Sequence, residues 1–71
     1  MKVSEVKENM GKRVLFTIPN ANYPSEYILT AYVYRLHPKD PEKRLSQLEL
    51  QDVKAPHCLI IADPKGVRLK I

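Results

Sequence analysis

The run Glu26 to Leu36, EYILTAYVYRL, constrains the fold of this chain more than any other stretch. It is rich in β-branched and aromatic residues, which favour a strand. Tyr27, Leu29, Ala31, Val33 and Arg35 share one parity, and Ile28, Thr30, Tyr32, Tyr34 and Leu36 share the other. Side chains alternate between faces along a strand, so both faces of this one carry apolar mass. A long strand covered on different faces at its two ends is bent, as in a small barrel. Loops rich in proline close it off on both sides: Pro19 to Ser25 (PNANYPS) before it and His37 to Lys43 (HPKDPEK) after it.

The rest of the chain is read around this strand. Ser4 is expected to cap a short helix over Glu5 to Met10, with Val3, Val6 and Met10 on one apolar face and Gly11 ending it. So short a helix needs a sheet to lie on. Arg13 to Ile18 alternates, with Val14, Phe16 and Ile18 on one face, and predicts a first strand. Arg44 to Val53 predicts a third, with Leu48 and Leu50 inward and Glu49 and Gln51 wet. Lys54-Ala55-Pro56 is a tight connection. His57 to Ala62, HCLIIA, is apolar at successive positions from Cys58 to Ile61 and is expected to be the most buried strand. Asp63-Pro64-Lys65-Gly66 fits a type I turn, and Val67 to Ile71 alternates as a last strand.

A chain of 71 residues is expected to form a single domain, residues 1–71, near the lower size limit for folding without staples. It has one cysteine and no tryptophan. No internal disulfide is possible, and no cysteine pair is available for a metal. No run of signal-peptide or membrane-spanning apolar length is seen, which predicts a cytoplasmic protein with no membrane partner.

One short helix and five strands, with turn signals every 8–12 residues, define an all-β (mainly β) chain. A small, partly open barrel handles the exposed edges at this length. The order of elements resembles the SH3-like barrel, with two long middle strands and a short last strand after a tight turn. The five-stranded oligonucleotide-binding barrel fits less well, because Lys54-Ala55-Pro56 leaves no room for its usual helix. Peptide-binding members of the SH3-like fold use a tryptophan that this chain lacks. The phrase LELQD followed by an apolar strand resembles small uncharacterised proteins of bacterial mobile elements.

The residues that could carry chemistry are few. A cysteine nucleophile needs a histidine within reach, and adjacent strand residues His57 and Cys58 would point to opposite faces. Cys58, opening a buried strand, is expected to behave as a small apolar residue. His37, His57, Cys58 and the acids Asp40, Asp52 and Asp63 have no compact ligand spacing. Glu49 and Asp52 differ in parity and make no acid pair. Gly11 and Gly66 belong to no phosphate-cradling loop. The expectation is no catalysis and no cofactor.

What remains is a possible binding surface. The net charge is +4, made of 12 Lys and Arg against 8 acids. It is spread through the chain, so the basic excess is too diffuse to single out nucleic acid. The favoured expectation is a protein-interaction module. It would engage an unknown partner or itself through loop Pro19–Glu26, loop His37–Lys43 or the edge Val67–Ile71. The alternative is a nucleic-acid-binding barrel whose surface combines Tyr32 and Tyr34 with Arg13, Arg35, Lys43, Arg44, Arg68 and Lys70.

Overall fold

A computed structural model of the protein describes residues 1–70. The long β-prone run forms β2, Ser25–Leu36. It pairs antiparallel with β1 (Arg13–Phe16) at one end and with β3 (Arg44–Asp52) along its length. β4 (Leu59–Ala62) pairs with β3, and β5 (Val67–Leu69) pairs with β1. The result is one five-stranded sheet in the order β4-β3-β2-β1-β5.

β4 and β5 are consecutive in the chain yet occupy opposite ends of this order. In a flat sheet the outermost of five strands would stand about 19 Å apart. They are joined by a 3-10 turn, Pro64–Gly66, which advances only about 2 Å per residue. The sheet must therefore curl. Asp63 starts the turn, its carboxylate accepting from the Lys65 amide at 2.9 Å, while the Gly66 amide donates to the Asp63 carbonyl at 3.0 Å. No strand pairing joins β4 to β5 among the described residues, so the sheet stays open.

The bend in β2 has a local cause. Leu29 registers with Leu50, but Ala31 registers with Glu49, leaving Thr30 as a β-bulge. A bulge adds one residue and changes which parity faces the core. Tyr27 and Leu29 are buried before it, and Tyr32 packs against the same core after it. This is why both parities of EYILTAYVYRL are apolar.

The core lies on the concave face: Val14, Tyr27, Leu29, Leu48, Leu50, Ala62 and Val67, closed over by Val6. Val14, Leu29, Leu48 and Leu50 are each 0% exposed. Among the described residues, no isoleucine is fully buried. The buried aromatic residue is Tyr27, whose ring meets Phe16 edge-on at 6.4 Å.

Three expectations need correction. The helix α1 covers Val3–Val6 and continues as a 3-10 turn over Lys7–Asn9. Ser4 does not cap it. The Lys2 amide donates to the Glu5 carboxylate at 3.1 Å and the Glu5 amide donates to the Lys2 carbonyl at 3.0 Å, so the helix begins after Lys2. Gly11 ends this segment with a positive φ of 82°, the conformation that favours glycine. The first strand stops at Phe16, before Ile18.

The third correction is the largest. The segment expected to be the most buried strand is an edge strand. β4 begins at Leu59, and only Ala62 in it is buried. An edge strand packed on one face buries alternate residues only. Of the apolar run, Ile60 and Ala62 face the core, while Leu59 and Ile61 are exposed. Cys58 is exposed and lies outside the strand. The last strand shows the expected alternation over Val67–Leu69; the expectation for Ile71 falls outside the described residues.

Candidate interaction surface

The backbone of β4 sets the geometry of the open edge. The Asp52 amide donates to the Cys58 carbonyl at 3.0 Å. In an antiparallel ladder the bonded pairs recur at every second residue. Leu50 with Ile60 and Leu48 with Ala62 are therefore the next bonded pairs inward. The N–H and C=O groups of Leu59 and Ile61 point the other way, out from the sheet. No described residue bonds to them.

The side chains of those same residues lie on the convex face, with Leu59 at 53% and Ile61 at 46% exposure. They flank Gln51 and Glu49 of β3 by register, with Ile28 and Ala31 one strand further in. Proteins commonly protect such an edge with charge, proline or a bulge. β4 has no charged residue, proline or bulge within it.

β5, the edge favoured by the sequence, differs. It is three residues long, and Arg68 and the following Lys70 are exposed on its outer face. Short length and positive charge both blunt strand pairing.

The structure divides the basic and tyrosine residues into separate groups. Arg13, Arg68 and Lys70 lie together on the convex face near β1 and β5. Glu26 reaches into this group and bonds both Arg13 and Lys70. These two cations hold its carboxyl below its ordinary pKa, Lys70 contributing most and Arg13 next. Tyr32 and Tyr34 point to the opposite, concave face, because their partners Leu48 and Ser46 alternate with the convex residues of β3. Tyr32 donates to or accepts from Ser46 Oγ at 2.8 Å. Tyr34 is 61% exposed, and Ile28 lies on the other face. Arg35 is next to Tyr34 in the strand and so points away from it. Lys43 and Arg44 stand at the far turn, where Arg44 donates to the carbonyls of Pro41 and Lys43.

On the concave side, Val3, Val6, Lys7, Met10 and Tyr32 line a shallow apolar cleft of about 270 Å³. This realises the apolar helix face seen in the sequence, although Val3 and Met10 are themselves exposed. His57 and Cys58 occupy an exposed turn rather than a strand, so their separation does not come from strand alternation. Neither side chain bonds to another described residue. Among the described residues, no three His, Cys, Asp or Glu side chains gather as a potential metal centre, and no helix is long and apolar enough to cross a membrane.

No protein-family model matches the chain, and neither a curated protein nor a solved structure matches it.

The sequence missed the β4 edge because CLII reads equally as a strand buried on both faces. Lys54-Ala55-Pro56 signals that β3 and β4 are neighbours, but a tight turn at Asp63–Gly66 equally suits a hairpin, and it is the structure that places β5 at the other end of the sheet.

Proposed function

We propose that this protein is a small, non-enzymatic binding module that engages a protein partner by strand addition at β4. The observation that carries this reading is the coincidence at Leu59 and Ile61 of exposed apolar side chains with outward-facing, unpaired backbone groups. Strand addition uses both: main-chain bonds supply affinity and alternate side chains supply selectivity. As architecture, the SH3-like barrel is the reading favoured by the placement of β5 beside β1 and by the 3-10 turn before it. The nucleic-acid reading is weaker. Its tyrosines and the Arg13, Arg68 and Lys70 group face opposite ways, and Glu26 offsets two of the cations.

Affinity capture with matched baits tests the proposal. A protein retained by the wild-type chain is expected to be lost with Ile61→Lys, and Arg68→Glu is expected to leave it in place. Equal capture by wild type and Ile61→Lys would overturn the edge reading.

A further inference from the structure

We infer that the occupant of the β4 edge is a second copy of this chain, paired antiparallel about a two-fold axis at Ile60; this rests on the binding-module reading above.

Self-pairing across a two-fold requires an edge complementary to itself. With Ile60 facing its own copy, Leu59 stands opposite Ile61 of the second copy and Ile61 opposite its Leu59. Those are the residues whose N–H and C=O groups point outward, so each pair forms a bonded pair of the new ladder. Shifting the centre to Leu59 would oppose Ile61 to His57, which lies in a turn. Shifting it to Ile61 would oppose Leu59 to Asp63, the first residue after the strand. Only the Ile60 centre satisfies the outward groups of both residues using the strand alone.

The groups flanking the strand agree with this arrangement. It brings the turn that carries His57 beside Asp63 of the second copy at both ends, an imidazole near a carboxylate. Asp63 uses one carboxylate oxygen to start the 3-10 turn, accepting from Lys65, and the other oxygen faces no donor among the described residues. The exposed Leu59 and Ile61 side chains would also pack cross-strand on the convex face, where opposed apolar residues stabilise a ladder.

The joined strand is short, so the association is weak and transient, with a dissociation constant of about 0.1–1 mM. Sedimentation from about 10 μM to about 1 mM is expected to show a monomer–dimer equilibrium. Ile61→Lys is expected to weaken it by at least about tenfold, because symmetry counts the substitution twice. Leu59→Lys repeats the test at an independent exposed position. Both variants are checked for an unchanged thermal transition.

Register is read by disulfide formation in a Cys58→Ser background. Under mild oxidation, a mixture of Leu59→Cys and Ile61→Cys proteins should form mixed dimers, since bonded pairs place Cα atoms about 5.5 Å apart. Each variant alone should not, because like positions are about 8 Å apart in this register. Equal cross-linking of each variant alone overturns the register. A wild-type protein that remains monomeric at about 1 mM overturns self-pairing. If Ile61→Lys nevertheless abolishes capture of another protein, the binding-module reading survives that failure. If it changes neither, both fall.

Discussion

The Thr30 hydroxyl bonds to both the main-chain carbonyl (3.0 Å) and the carboxylate (2.9 Å) of Glu49. Thr30 is the unpaired residue of the β2 bulge, and Glu49 is the neighbour at which pairing resumes. The contact therefore clamps the bulge at the point where the parity of β2 changes. Thr30→Val keeps the β-branched shape but removes the donor. It should cost about 1 kcal/mol, the usual net value of one hydrogen bond, while Thr30→Ser retains much of that. Urea unfolding of the three proteins, followed by circular dichroism, would measure both. A Thr30→Val protein as stable as the wild type would show that backbone geometry alone holds the bulge.

Glu26 ties three strands together through charge. It lies on β2, Arg13 begins β1 and Lys70 follows β5. Because the folded carboxyl has a lowered pKa, its contribution is fully present above the unfolded value, about 4.3. The contribution is lost as pH falls through the lower folded value. Glu26→Gln should therefore flatten the acid side of the stability profile and leave its neutral-to-basic shape unchanged. Added salt should shrink the difference between the two proteins, since the partners are solvent-accessible. Denaturant midpoints between pH 2 and pH 7, at low and high salt, would decide it.

The alternation of RVLF, LSQLELQD and VRL was readable because each of these strands has a dry and a wet face. Pro64 and Gly66 marked their turn through local conformation, and Gly11 marked the end of the helical segment. The position of each strand in the sheet was not readable in the same way. CLII gives the same local signal in a central strand and at an edge, and only the route of the chain through Pro64–Gly66 separates the two. The bend in β2 was legible as apolar mass on both parities, but not the bulge that makes it, which depends on the β3 register. The split of the basic residues from the tyrosines follows from that same register.

Cys58 offers a direct chemical check on the corrected edge. A cysteine inside the most buried strand would resist thiol reagents until the protein unfolded. In the structure Cys58 is exposed just before β4. Reaction with a small aromatic disulfide reagent should be complete in native buffer, at a rate within about tenfold of that in urea. Protection by several orders of magnitude would mean that β4 is covered after all.

Gly11 tests a backbone requirement separately from packing. Its φ is 82°, and a Cβ placed there would meet nothing within 4 Å. Any cost of Gly11→Ala must therefore come from conformation, at about 1 kcal/mol. Gly11→Asn should recover part of it, because asparagine tolerates this region better. The Gly11 amide also donates to the Leu29 carbonyl at 2.8 Å, so a larger loss would indicate that the substitution breaks this link between the helical segment and β2. Comparing the two variants by thermal unfolding distinguishes the two outcomes.

Ile60 and Ile61 are identical neighbours with opposite environments, and they give the sharpest test of β4. Ile60 packs against the core, while Ile61 is exposed on the convex face. Truncating a core-facing isoleucine costs about 2 kcal/mol or more, the lower part of the range because Ile60 is only half-buried. A domain of this size has a total stability of about 4–10 kcal/mol, so Ile60→Ala should produce an easily measured loss. Ile61→Ala should cost less than about 0.5 kcal/mol, as for other surface substitutions. The measurements belong at low protein concentration, about 10 μM, where self-association contributes little. Equal losses at the two positions would return β4 to the interior of the sheet and remove the open edge on which the binding proposals rest.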